Sequence, residues 1–229
     1  MKVEAVGQKR YTLGEGPHWD ERSGTLLFVD GHGCQIFRYD PESRSETEVV
    51  RLEDEIGNFI PYAEDNRKLV VCMGRGVYRL DLDTMEKTLL TEMLDEESPV
   101  PTRINDGKCD AVGRLWAGSM PVKIDTLDVE GMARGKNNLW SFSKGNKRIL
   151  LDFKATPGFQ ELGHPDGMTI DVNDKIWLTC CLSGLVLQVD PETGKSSSQQ
   201  SELRYALRHV CQLPTGCDPT RRWPPLPSH

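Results

Sequence analysis

The chain has 229 residues, a formal net charge of −7, 37% hydrophobic residues and 28% charged residues. This length allows one large domain or two small ones with a buried core. The negative charge argues against a nucleic-acid surface, which needs a basic face. No apolar run approaches the roughly 20 residues of a membrane span, and the N-terminus lacks the apolar core of a secretory signal. We therefore expect a cytoplasmic protein without nucleic-acid or membrane partners.

Seven cysteines occur without the dense spacing of a disulfide scaffold. Five of them lie in or beside strand-like segments: Cys34, Cys72, Cys109, Cys180 and Cys181. We expect these five to be buried, reduced thiols that pack as small hydrophobic groups.

Short runs that alternate apolar and polar residues recur along the chain, each bounded by Gly, Asp, Asn or Pro. In chain order they are GTLLFVD, CQIFRYDPESRSETEVVRL, NRKLVVCMG, GVYRLDLDTMEKTLLTEM, GRLWAGSM, NNLWSFSKGNKRILLDF, DKIWLTCC and GLVLQVDPETGK. Leu27, Val70 and Leu115 mark equivalent strands at intervals of about 45 residues, which is typical of propeller blades. The step to Ile176 is longer because residues 121–136 insert a loop.

Each unit alternates strands with turn sequences such as DERSG, DPES, EDNRK and DPETG. A β-sandwich also contains many short strands, but the period and the four strands per unit favour a β-propeller. We predict an all-β fold with four blades over residues 1–195. Residues 196–229 lose the alternation and become rich in Ser, Pro and Arg, which predicts a divergent, poorly ordered tail.

Three segments that enter repeat units carry unusual polar residues: GEGPHWD, RINDGK and GHPDGMTID. As loops at one end of a propeller channel they would face each other, and Glu15, Asn105 and Asp166 would converge. Two carboxylates and an amide oxygen suit Ca²⁺, Mg²⁺ or Mn²⁺. Alternatively, NDG and PDG are strong turn sequences, so that Asp106 and Asp166 serve turns and Arg103 is a solvated charge. Signatures of serine hydrolases, zincins and phosphate loops are absent from the sequence.

The segments YTLGEGPHWDERSGTLLFVD, RINDGKCDAVGRLWAGSM and HPDGMTIDVNDKIWL resemble the family of regucalcin (senescence marker protein), gluconolactonases and insect luciferin-regenerating enzymes. The resemblance runs from about Tyr11 to Lys195. It implies a six-bladed propeller with one divalent metal ion in its channel. Ca²⁺ is the first candidate for this ion, and Zn²⁺, Mn²⁺ and Mg²⁺ are alternatives. It also implies hydrolysis of a small-molecule sugar lactone. By this resemblance Glu15, Asn105 and Asp166 are metal ligands, Asp166 is also the catalytic base, and Arg103 and Asn105 bind substrate.

The sequence departs from the family pattern between the second and third of these segments. The family places another metal-binding Asn there, in an Asn-Gly-Leu loop. Here Leu150–Phe153 runs directly into KATPGFQELGHPDG. About one blade is missing at this point, and a closing blade is replaced by the tail. The resemblance therefore implies a shortened member with about four blades.

Three functions remain open at this stage. The first is a metal-dependent lactonase. The second is a catalytically inactive calcium-binding or interaction protein, and the third is a truncated splice product without activity. An open array of four blades exposes sheet edges, through which copies of the chain could form an oligomer.

Overall fold

The computed structural model describes residues 5–94, 101–122, 138–143, 146–160 and 162–199. These residues form β-strands, turns and connecting segments and contain no helix, hence none long and apolar enough to cross a membrane. The strands are β1 Gly14–Asp20, β2 Thr25–Asp30, β3 Gln35–Asp40, β4 Ser45–Arg51, β5 Ile56–Pro61, β6 Lys68–Met73, β7 Gly76–Asp81, β8 Lys87–Glu92, β9 Thr102–Cys109, β10 Leu115–Pro121, β11 Asn138–Ser143, β12 Asn146–Asp152, β13 Gly163–Ile170, β14 Ile176–Leu182, β15 Leu185–Val189 and β16 Ser196–Gln199.

The strands pair in sequence order into four antiparallel four-stranded sheets. We call them blade I (β1–β4), blade II (β5–β8), blade III (β9–β12) and blade IV (β13–β16). The first strands contact each other in series, β1 with β5, β5 with β9 and β9 with β13, and are therefore the innermost strands. The predicted all-β propeller with four blades is confirmed.

The repeat positions identified in the sequence are structurally equivalent. Leu27, Val70, Leu115 and Ile176 all lie on the second strand of their blade. The predicted turn sequences connect consecutive strands, and their aspartates stabilise the turns. Asp190 Oδ1, for example, accepts the backbone N–H groups of Glu192 and Thr193 at 3.0 and 2.8 Å.

Three apolar cores lie between successive blades. The first packs the inner face of blade I on blade II and includes Leu27, Val29, Leu69 and Val71. The second joins blades II and III through Cys72, Val77, Ile104 and Leu115, and the third joins blades III and IV through Trp116, Leu139, Ile176 and Leu178. Neighbouring residues such as Leu115 and Trp116 enter different cores because successive side chains of a strand point to opposite faces. Each blade is thus held by its neighbours.

The fourth blade extends further than predicted. Ser196–Gln199, which the sequence analysis placed in the tail, form β16 and pair with Val186–Val189 of β15. Backbone pairing does not require apolar alternation, so a serine-rich edge strand has no alternating signal. The remaining tail, residues 200–229, and most of the predicted loop, residues 123–136, lie outside the described residues.

The five cysteines singled out above are free thiols. Cys72 and Cys180 are buried in interblade cores, and burial raises the pKa of both thiols to about 12. Cys34, Cys109 and Cys181 are partly exposed, so the expectation of full burial is wrong for these three.

Candidate functional site

The predicted site residues lie on the innermost strands, so the expectation that loops carry them is wrong. Glu15 lies on β1, Arg103 and Asn105 on β9, and Asp166 on β13. Each strand shifts its pairing register beside its site residue, between residues 15 and 18, 104 and 107, and 165 and 168. A bulge of this kind turns a side chain away from the regular strand direction. Bulges and turns favour the same Gly- and Asp-rich sequences, which explains the wrong expectation.

Two glycines let the blades approach closely around these strands. A Cβ on Gly57 would lie 2.3 Å from the carbonyl oxygen of Ile104. A Cβ on Gly118 would lie 2.6 Å from the Cβ of Pro165. The backbone of β5 therefore meets that of β9, and the backbone of β10 meets the ring of Pro165 on β13.

Asn105 is the centre of the site's hydrogen bonds and is only 2% exposed. Its Nδ2 donates to the carbonyl oxygen of Pro165 at 3.1 Å and to Oδ1 of Asp166 at 3.2 Å. Its Oδ1 accepts from Nη1 of Arg103 at 3.0 Å. From blade II, Asn58 Nδ2 donates to the Asn105 carbonyl oxygen at 2.6 Å. The amide thus joins the cation of blade III to the carboxylate of blade IV.

Asp106 links two blades, in place of the turn role considered for it above. Its Oδ1 accepts the N–H of Gly107 at 2.8 Å, and its Oδ2 accepts the N–H of Met168 at 3.0 Å. Burial raises the pKa of this carboxyl to about 6, although both backbone hydrogen bonds act in the opposite direction. Asp106 is therefore a structural bridge between blades III and IV beside the site.

Glu15 and Asp166 are half-buried and repel each other electrostatically. Burial, followed by the negative charge of Asp166, raises the pKa of Glu15 to about 7, and Arg103 partly offsets this. A divalent cation would remove this repulsion, and two carboxylates with an amide oxygen are the ligand types that such a cation takes. The Asn105 amide directs its nitrogen to Asp166 and its oxygen to Arg103, so it would have to turn over to add its oxygen to the two carboxylates. Within the described residues no group of three His, Cys, Asp or Glu side chains could hold a metal, so the amide is essential to this set.

Arg103 is 5% exposed and is held by residues that sequence reasoning missed. Its Nε lies 3.1 Å from Oε2 of Glu55, and the other oxygen of Glu55 lies 3.1 Å from Nδ1 of His32. Burial lowers the pKa of Arg103, while the Glu55 carboxylate and then the site carboxylates act in the opposite direction. Glu55 stands in the acidic run EDE, which in the sequence resembles a solvated surface segment.

His164 is a second residue near the site that the sequence did not single out. It is fully buried, and neither ring nitrogen has a hydrogen-bond partner in the described structure. Burial lowers the pKa of its imidazole to about 4, against a smaller opposing effect of Asp166. The ring is therefore neutral at pH 7.

Comparison with known proteins places this geometry in a family. The sequence profile described as the SMP-30/Gluconolactonase/LRE-like region matches residues 13–135, which is more than half of the chain. The chain belongs to this family. The matched region contains three of the predicted site residues, Glu15, Arg103 and Asn105, and the resemblance stated above is confirmed.

Curated relatives of this SMP-30/gluconolactonase chain cover most of its length. Regucalcin of Xenopus laevis is 32% identical over 235 residues, covering 85% of this chain and 77% of the relative. The putative sugar lactone lactonase YvrE of Bacillus subtilis strain 168 is 28% identical, covering 83% of this chain and 76% of the relative. Among solved structures, the calcium-binding protein regucalcin of Agrobacterium tumefaciens has a TM-score of 0.65 at 21% identity. That match covers 82% of this chain but only 59% of the Agrobacterium chain, and it supports the fold.

The alignment with the Xenopus relative is longer than the part of this chain that it covers. Since 85% of 229 residues is about 195, about 40 of the 235 aligned positions have no counterpart in this chain. This is the size of one blade. The blade predicted to be missing between Phe153 and the HPDG segment stays a prediction.

Proposed function

We propose that this chain is a cytoplasmic, metal-dependent hydrolase of sugar lactones, with Ca²⁺ as its first candidate metal and Zn²⁺, Mn²⁺ or Mg²⁺ as alternatives. The observation that carries the proposal is the arrangement around Asn105, which joins Arg103 to Asp166 by hydrogen bonds. Family membership and the name of the Bacillus relative, a putative sugar lactone lactonase, support the substrate class.

The charge and exposure of each site residue suggest its role in the proposed reaction. Glu15, Asn105 and Asp166 would hold the cation, which supplies a Lewis acid for the lactone carbonyl. Asp166, half-buried and oriented by Asn105, accepts the proton of the attacking water. Arg103 and Asn105 bind oxygen atoms of the substrate, where the guanidinium stabilises developing negative charge.

The test is acid release from gluconolactone with Ca²⁺, Mn²⁺ or Zn²⁺ added, compared with a chelated sample. Spontaneous hydrolysis is subtracted with a blank that contains lactone and metal without protein. We expect hydrolysis above the blank only with metal. Equal rates with metal and with chelator would contradict the proposal.

A calcium-binding protein without catalysis is the second candidate, and the roughly 40 aligned positions of the Xenopus relative that this chain lacks favour it. A missing protein ligand can be replaced by water on a hard cation, so binding can persist where turnover is lost. Calorimetric titration with Ca²⁺ beside the lactonase assay separates the two functions. Binding without turnover selects this candidate, and turnover rejects it.

A further inference from the structure

Glu55 is the acidic residue that contacts Arg103 from outside blade III. It stands directly before β5, in the connection between blades I and II. Its Oε2 lies 3.1 Å from Arg103 Nε, and its Oε1 lies 3.1 Å from His32 Nδ1. Nε makes no well-aligned hydrogen bond, so the contact with Arg103 is an ion pair. Both oxygens of Glu55 are thus engaged by neighbouring blades.

The backbone keeps Glu55 and Arg103 close together. The N–H of Gly74 donates to the Glu55 carbonyl oxygen at 2.9 Å, and the Gly74 carbonyl oxygen accepts the N–H of Ile104 at 2.8 Å. One residue of the β6–β7 turn therefore holds the segments on both sides of the ion pair. The pair is a consequence of how blades II and III pack.

The ion pair fixes the direction of the guanidinium. Arg103 is nearly inaccessible, with Nε at Glu55 and Nη1 donating to the Ile104 carbonyl oxygen at 3.1 Å and to Asn105 Oδ1 at 3.0 Å. The Glu55 charge also compensates the arginine charge. Without it, the guanidinium would be drawn toward Glu15 and Asp166 and would compete with a cation for them.

We propose that Glu55 is a positioning residue that orients Arg103 for substrate and keeps its charge from opposing the cation. This inference rests on the proposed lactonase function. Glu55 itself contacts neither substrate nor metal in this scheme. It acts through Arg103, so its removal should affect substrate binding more than the chemical step.

The experiment compares Glu55→Gln, which removes the charge at constant shape, with Glu55→Asp, which keeps it. The matched control is Glu53→Gln in the same connection, because Glu53 is 63% exposed and pairs with Lys87. Full-length variants are assayed for KM and kcat with gluconolactone and for Ca²⁺ affinity by calorimetry. We expect Glu55→Gln to raise KM about fivefold or more with kcat within about twofold. Ca²⁺ binding should weaken about threefold, and Glu55→Asp should recover part of both losses.

The inference is overturned if Glu55→Gln keeps the parent KM and Ca²⁺ affinity, or if Glu53→Gln shows the same losses. Nitrogen-15 NMR of the Arg103 Nε–H group, assigned with Arg103→Lys, gives a readout that does not depend on activity. We expect rotation of the guanidinium about its Nε–Cζ bond to be slow in the parent and in Glu53→Gln and faster in Glu55→Gln, because the ion pair fixes the direction of this group. If the parent neither hydrolyses lactone nor binds Ca²⁺, the proposed function fails. Unchanged rotation of the guanidinium in Glu55→Gln would overturn the positioning role separately.

Discussion

At the scale of single residues, Asp166 separates a metal role from a turn role. A bulge accepts Asn as readily as Asp, whereas a ligand role requires the carboxylate charge. We expect Asp166→Asn to keep the fold and to weaken Ca²⁺ binding at least about tenfold, or about 1.4 kcal/mol. Calorimetric titration measures the loss, and circular dichroism verifies the fold. Glu15→Gln should behave in the same way.

The control for this change is Asp174→Asn in the same blade. Asp174 is exposed, and its φ of 58° lies in the left-handed region that Asn adopts easily. Asp190 is less suitable as a control because it pairs with Lys175 and accepts the N–H groups of its own turn. If Asp166→Asn binds Ca²⁺ with the same affinity as the parent, the metal site formed by Glu15, Asn105 and Asp166 is refuted.

His164 predicts a pH dependence of stability. The folded pKa of its imidazole is about 4 and the ordinary value is 6.5, so the unfolded chain binds the extra proton between these values. Stability should therefore fall as pH drops from about 6.5 to about 4, by at most about 3 kcal/mol. His164→Phe removes this contribution and buries no unpaired nitrogen, so it should keep or raise stability at pH 7.

The measurement is urea unfolding of both chains across this pH range in the presence of chelator, which excludes metal effects. The difference in unfolding free energy between parent and His164→Phe should change with pH. A constant difference would show that this imidazole does not titrate on unfolding.

At the scale of elements, the close approach of neighbouring blades depends on glycine. Gly57→Ala and Gly118→Ala would force a Cβ into a backbone carbonyl or a proline ring. Overpacking of this kind costs about 1–3 kcal/mol. Gly14→Ala is the control, since its Cβ would meet nothing closer than 3.6 Å. Thermal unfolding should show a lower Tm for the first two variants, and equal Tm values in all three would contradict this packing.

The alternation and the repeat period were sufficient to predict the strands and the blade count. Leu27, Val70, Leu115 and Ile176 are equivalent because each lies on the second strand of its blade. Bulges could not be predicted, since their Gly- and Asp-rich sequences are also those of turns. The role proposed for Glu55 could not be predicted, because it depends on how blades II and III pack. The local sequence does not indicate that packing.

At the scale of the whole molecule, the four blades are joined in series by three cores. The opposite face of blade I carries Phe28 and Phe37, and Tyr11 from the N-terminal segment packs on them at 5.0 and 4.9 Å between ring centres. The first blade of a series has one face without a neighbouring blade. Here Tyr11 covers part of that face. Self-association through the remaining sheet edges stays a prediction.

A bound cation would add a direct connection between the first and last blades, because Glu15 belongs to blade I and Asp166 to blade IV. A ligand that binds only the folded state stabilises it by about 2.7 kcal/mol at a hundredfold excess over Kd. We therefore expect Ca²⁺ to raise the Tm of the parent and of Asp174→Asn, and to raise that of Asp166→Asn about half as much or less. Sodium chloride at matched ionic strength controls for screening of the −7 net charge. A Tm that is the same with Ca²⁺ and with chelator would mean that no cation joins these blades.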